Sequence, residues 1–160
     1  MLSIRVLALG KIKEAYLRQG LAEYAKRLST LARLQTVELP DEKLAEPLFP
    51  AEEEHIKEIE GRRLLRALRE DEYVIALDAA GEQFSSLQFA AKLSHLALYG
   101  RTNLAFIIGA SLGLSATVLQ QADLRLSCGL LTYPHQLMRL ILLEQIYRAC
   151  KINRGEPYHK

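Results

Sequence analysis

Two parts of this 160-residue chain carry residue types and spacings suited to chemistry. The first is the run Gly109-Ala-Ser-Leu-Gly113-Leu-Ser115, which follows an aliphatic stretch ending at Ile108. Small residues directly after a strand let a ligand approach the backbone. Alone the run is a weak signal, neither a dinucleotide-binding glycine pattern nor a phosphate loop with its lysine, and an ordinary tight turn is the commoner reason for such a run. The second part runs from His135 to Lys160. Its five cations, Arg139, Arg148, Lys151, Arg154 and Lys160, face two acids, Glu144 and Glu156, leaving +3 in a chain whose net charge is +2. His135 and Arg139 lie one turn apart on the same side of an expected helix, where the guanidinium suits phosphate and the imidazole suits either a ligand or a structural hydrogen bond. Glu144 and Arg148 have the spacing and order of an intrahelical ion pair. Arg154 lies just past that helix and is a further phosphate candidate. The ending Tyr158-His159-Lys160 places an imidazole where packing gives no reason for one, so it reads as a frayed tail or as part of a site. His55 and His95 sit in ordinary surface helices and receive no role.

The elements that must position these residues follow from periodicity. Aliphatic and β-branched runs predict strands at Leu2 to Leu9, Leu34 to Leu39, Tyr73 to Leu77, Asn103 to Ile108 and, more weakly, Asp123 to Ser127. Between them Leu17, Leu21, Tyr24 and Leu28 form the apolar stripe of a first helix. A second opens at Pro50 with Glu52, Glu53 and Glu54 at the dipole's positive end and closes among Arg63, Arg66 and Arg69. Its apolar register breaks across Gly61, so a bend or a partly exposed face is expected. A third helix starts at Ser85-Ser86 and stops at Gly100, and a short fourth covers about Ala116 to Gln121. The last helix follows Thr132-Tyr133-Pro134 and is apolar around nearly its whole circumference, which predicts burial against both the core and a second copy of the chain.

Strands alternating with helices, with central runs apolar on both faces, argue an α/β fold: a mostly parallel sheet with helices on both faces, as one domain over 1–160. Ligands in such sheets bind beyond the carboxyl ends of the strands, here Leu77-Asp78, Ile108-Gly109 and Ser127-Cys128. No stretch of some 18 to 20 apolar residues is present, since Arg139 and Glu144 interrupt the best candidate, so no membrane partner is expected. The first residues lack a secretory pattern, and a cytoplasmic location is expected. Cys128 and Cys150 offer neither a disulfide framework nor zinc-ligand spacing, and they read as packing residues with no metal implied.

The motifs taken together are far less ordinary than any one of them. The order LD-x-x-G at Leu77 to Gly81, SS-x-x-FA at Ser85 to Ala90, FIIG-x-S-x-GLS at Phe106 to Ser115, LT-Y-PH-Q-L-MR at Leu131 to Arg139, LLEQIYRA at Leu142 to Ala149, and a closing RGEPYHK resembles one family. It is that of the bacterial ribosomal RNA large subunit methyltransferase H proteins, the SPOUT-class 23S rRNA pseudouridine-1915 N3-methyltransferases. The resemblance runs the length of the chain and is densest from Leu77 onward.

That resemblance implies an S-adenosylmethionine-dependent enzyme with a C-terminal trefoil knot, active as a homodimer on 23S rRNA in the ribosome, with no metal. It implies cofactor contacts at Leu77, Gly109 and the run Cys128, Gly129, Leu130, Leu131, Thr132 and Tyr133. With it, His159 and Tyr158 become catalytic candidates that reach the partner subunit's pocket, and His135, Arg139 and Arg154 become RNA contacts. His135 could instead meet the cofactor carboxylate. The family usually has two glycines where this chain has Gly109-Ala110, and a polar residue where it has Leu112. Cofactor binding survives Ala110 if that residue keeps a negative φ. A non-catalytic dimeric module that binds a nucleotide or docks on the ribosome is the alternative, and a flavodoxin-like nucleotide-binding domain is a weaker third.

Overall fold

A computed structural model describes residues 1–160. Five strands, β1 (Leu2–Leu9), β2 (Ala32–Leu39), β3 (Tyr73–Gln83), β4 (Asn103–Ile108) and β5 (Leu124–Ser127), form one sheet in the order β2-β1-β4-β3-β5. Every pairing is parallel. Five helices connect them: α1 (Ala15–Leu28), α2 (Pro50–Ala67), α3 (Ser86–Leu98), α4 (Ala116–Gln121) and α5 (His135–Asn153).

Alternation along the strands builds a core on each face. Ile4, Val6 and Ala8 of β1 and Leu104, Phe106 and Ile108 of β4 point to one side, with Leu28 of α1, Leu93 of α3 and Ile146 of α5. Leu7, Leu9, Ala105 and Ile107 point to the other side, against Leu64 of α2 and Val118 of α4. Helices therefore cover both faces, as the doubly apolar strands require. None of the helices is long and apolar enough to cross a membrane.

Local signals placed most helix ends. Ser85 caps α3, accepting the Gln88 N–H at 3.1 Å while the Gln88 side chain accepts the Ser85 N–H at 2.8 Å. Gly100, at φ +78°, ends it, with the Arg101 N–H reaching back to the Leu96 carbonyl at 2.8 Å. The register break in α2 has a packing reason. At Gly61 a Cβ would stand 2.6 Å from the Ser115 hydroxyl, so the glycine lets the start of α4 lie directly on a continuous α2.

The strand β3 is longer than the expected Tyr73 to Leu77. It pairs with β5 up to Leu77, leaves the ladder, and rejoins at Glu82 and Gln83. The Asp123 carboxylate accepts the Val74 N–H at 2.7 Å where the ladder begins, and within the detour Gly81 passes so near the Arg125 carbonyl that a Cβ would stand 2.6 Å from its oxygen. The detour sets the carboxyl ends of β3 and β5 beside that of β4.

Candidate active site

Beyond those three strand ends lies a cleft of about 190 Å³. Leu77 and Asp78 form one wall, the turn from Gly109 to Leu114 the floor, and Cys128, Gly129, Leu131, Thr132 and Tyr133 the opposite wall. His135 and Met138, in the first turn of α5, close one end. Seven of the eight positions expected to hold a cofactor thus meet in one concave, mainly apolar space. Leu130 does not line it; its side chain is 81% exposed next to the 74% exposed Leu131, both at the mouth. Apolar side chains so exposed beside a cleft suit a partner surface or a large ligand better than water.

The floor is shaped by the absence of a Cβ. One built on Gly109 would stand 2.9 Å from the Gly113 carbonyl carbon and 3.1 Å from its oxygen. Gly109 therefore lets the turn fold flat against the strand end, closed by the Gly113 N–H on the Ala110 carbonyl at 2.9 Å. Gly113 supplies the φ of +83° that this closure needs. No non-glycine residue has positive φ, so Ala110 is not left-handed and meets the condition for tolerating its methyl group.

Ser127 fixes the opposite wall. Its hydroxyl donates to the Ala79 carbonyl at 2.9 Å and accepts the Gly129 N–H at 3.1 Å, tying the end of β5 to the β3 detour. Gly129 turns there with φ +113°. Nothing in the serine's local sequence marks it as this tie, because both strands must already be in place. Burial pushes the Cys128 thiol up from its ordinary pKa, which keeps it protonated and unsuited to nucleophilic work. Cys150 is raised for the same reason. No three His, Cys, Asp or Glu side chains are grouped so as to hold a metal ion.

His135 is half-buried, and burial, then the Arg139 charge, lower its pKa against the opposing pull of Asp41 and Glu14. It enters the cleft as a neutral imidazole, suited to hydrogen bonding more than to holding a phosphate. Arg139 departs from the expectation of an RNA contact. It is 2% exposed, and its guanidinium donates to Glu38 at 2.7 Å and to the carbonyls of Leu9 and Gly10 at 2.9 and 2.7 Å. Those partners lie at the ends of β1 and β2, so the arginine is a strut between the sheet and the first turn of α5. Helical spacing placed it beside His135 correctly but could not show which face was buried.

The tail is docked, not frayed. Tyr158 donates to Glu144 at 3.0 Å and stands edge-on to Tyr147 with ring centroids 4.9 Å apart. Glu144 and Arg148 form the expected ion pair at 2.5 Å, and the Arg148 guanidinium lies 4.7 Å from the Tyr158 ring centroid. His159 contacts Arg148 at 3.2 Å. Arg154 stays exposed near Glu156, 3.7 Å away, and donates to the Thr30 carbonyl at 3.2 Å. This cluster sits on the C-terminal half of α5. Thirteen residues separate His135 from Arg148, about 20 Å along a helix. His159 therefore does not reach its own cleft in this arrangement.

The cleft beyond three parallel strand ends defines the class. A family profile described as "Predicted SPOUT methyltransferase" matches residues 2–159. The fold agrees with a solved structure of a probable methylase family protein from Haemophilus influenzae Rd KW20, with TM-score 0.52, 12% identity, and coverage of 98% of this chain and 70% of that one. At that identity the likeness speaks for the fold alone.

Within this class the relatives are much nearer. The chain is 57% identical to a ribosomal RNA large subunit methyltransferase H from Carboxydothermus hydrogenoformans, covering 99% of this chain and all, 100%, of that protein. It is 55% and 52% identical to proteins of the same name from Bacillus cytotoxicus and Ligilactobacillus salivarius, again over 99% of this chain and 100% of each relative. The chain belongs to the ribosomal RNA large subunit methyltransferase H family of SPOUT methyltransferases.

Proposed function

We propose that this protein is a cytoplasmic, S-adenosylmethionine-dependent methyltransferase that modifies N3 of pseudouridine-1915 in 23S rRNA of the assembled ribosome, as a homodimer. The observation that carries the reading is the convergence of Leu77, Gly109 and the Cys128–Tyr133 wall on one cleft. The relatives' name supplies the large-subunit rRNA. The cofactor fits what is present: apolar walls for a purine, a floor kept open by the missing Cβ at Gly109, and the Gly129 carbonyl and Thr132 backbone to read a base edge. The knot follows the same reading, supported by the β3 detour and by α5 returning to pack on α1 and α3.

When bound, the cofactor supplies an electrophilic methyl group on a sulfonium. The acceptor nitrogen lies between two carbonyls and reacts as its anion, so the cleft formed by Leu77, Gly109, Cys128, Gly129, Leu131, Thr132 and Tyr133 would hold the cofactor while the base loses its proton to water. The protein's share is then orientation, exclusion of water, and stabilisation of the anionic base. Leu130 and Leu131 at the mouth, together with Tyr133, suit the excluding role, and Arg154 remains the surface cation for a phosphate.

The docked tail supports the dimer. Since His159 is held at Arg148, about 20 Å along α5 from His135 at its own cleft, an isologous pairing with α5 antiparallel across the two-fold would carry each tail toward the other subunit's cleft. With one small domain, rRNA must be recognised through the dimer surface and the shape of a folded site. The test is transfer of labelled methyl to ribosomes lacking the modification, with and without Tyr158 to Lys160. Loss of transfer with cofactor binding intact is expected; full transfer by the truncated protein refutes the trans tail. Equal methylation of a short isolated RNA refutes the ribosomal substrate.

A further inference from the structure

The cluster holding the tail has a chemistry of its own. A guanidinium is always a donor and carries no lone pair available for bonding. The Arg148 Nη1–H directed at His159 Nδ1, 3.2 Å away, therefore requires Nδ1 to be the unprotonated, accepting nitrogen. In the neutral ring the hydrogen then resides on Nε2. Arg148 is itself fixed, because its other terminal nitrogen donates to Glu144 Oε1 at 2.5 Å. The carboxylate is fixed in turn by Tyr158, which donates to Oε1 at 3.0 Å, and by Gln145, which donates to Oε2 at 2.8 Å.

We infer that Glu144 and Arg148 are positioning residues that hold His159 as an Nε2–H donor, so that His159 hydrogen-bonds an oxygen of the anionic target base and is not the group that removes the N3 proton. This rests on the reading that the tail completes the partner's cleft. The only basic lone pair of the ring faces a cation, and the outward nitrogen already carries a hydrogen. The proton lost from N3 passes to water, and the negative charge spreads onto the flanking carbonyl oxygens. An oriented N–H there stabilises the form that attacks.

Tyr158 is excluded as the base by the same contacts. Its hydroxyl proton is directed at Glu144, so Tyr24, 3.4 Å away, donates to the Tyr158 oxygen. Burial, those hydrogen bonds and the Glu144 charge all push its pKa up. Tyr158 anchors the tail on Tyr147 and leaves the imidazole as its outward polar group.

Two measurements test this. Two-bond 1H–15N correlation spectra of ring-labelled histidine in the whole protein, with His159 assigned by its loss in the His159→Gln variant, report the tautomer directly. The Nε2–H form is expected in the wild type and in Arg148→Lys, and a mixture in Arg148→Ala; an Nδ1–H or cationic ring in the wild type overturns the inference. Methyl transfer to unmodified ribosomes is the second measurement. The amide nitrogen of glutamine overlays Nε2 and that of asparagine overlays Nδ1, so His159→Gln should lose less than about tenfold and His159→Asn roughly a hundredfold, the scale of one oxyanion donor. Equal losses in the two variants, with the Nε2–H form confirmed, overturn the donor role while leaving the tail in the site. Full activity in both removes the tail from the site, a failure of the reading beneath.

Discussion

Replacing Arg139 with alanine separates a buried strut from an RNA contact. The arginine side chain is 3% exposed and its Glu38 partner 39% exposed. Removing one member of a fully buried ion pair costs about 3–5 kcal/mol, chiefly through the charge left behind. Glu38 is open enough to rehydrate, which reduces its share to about 1 kcal/mol. The carbonyl of Leu9, a buried residue, loses its donor at a cost of about 1–3 kcal/mol, while that of Gly10 is half open to water. A destabilisation of about 3 kcal/mol results. With an unfolding entropy of about 2.1 cal/mol/K per residue over 160 residues, Tm falls by about 9 °C. Thermal unfolding at fixed protein concentration measures it, since the Tm of the proposed dimer would depend on concentration. Arg139→Lys should recover part of the loss by reaching one of the three acceptors. A Tm within about 2 °C of wild type, together with weakened ribosome binding, would refute the strut and restore the phosphate role.

The cleft floor and the buried carboxylate give two more tests. Gly109→Ala places a methyl 2.9 Å from the Gly113 backbone, so the affinity for S-adenosylmethionine measured by calorimetry should fall roughly ten- to a hundredfold. Ala110→Gly should change that affinity by less than about threefold, because Ala110 has no positive φ to relieve; the reverse ranking would sink this account of the turn. Glu60 is 3% exposed, accepts the Glu42 N–H at 3.1 Å through one oxygen, and has no partner for the other. Burial first, then the charges of Asp41 and Glu42, raise its pKa above the ordinary carboxylate value of 4.5, against the opposing pull of the Glu42 N–H and Arg63. The folded state therefore holds the proton more tightly, and stability is lost as pH rises from 4.5 through the raised value. Glu60→Gln keeps the acceptor without the charge, so it should be the more stable protein in urea at about pH 7, with the advantage gone by about pH 4. Lower stability at neutral pH would show that the carboxylate charge is used.

The elements, and the places where a ligand could sit, were legible in the order of the residues. Pro50, Ser85 and Gly100 act on backbone groups within a few residues of themselves, so helix limits were legible from them. The doubly apolar strands required helices on both faces, and the small residues after Leu77, Ile108 and Ser127 marked the strand ends that line the cleft. The tertiary structure decided which polar groups are structural and which are available. Arg139 and Arg148 are both arginines on one helix, yet the first is sealed against Glu38 and two carbonyls, while the second holds the tail histidine. Gly61 and Ser127 likewise took their meaning from α4 and from the detour of β3, segments far away in the chain. A short-range pattern records what each residue does to its own backbone. Burial, and the hydrogen bond that offsets burying a charge, depend on partners such as Glu38, which stands 101 residues before Arg139 and meets it only once the sheet and α5 have come together.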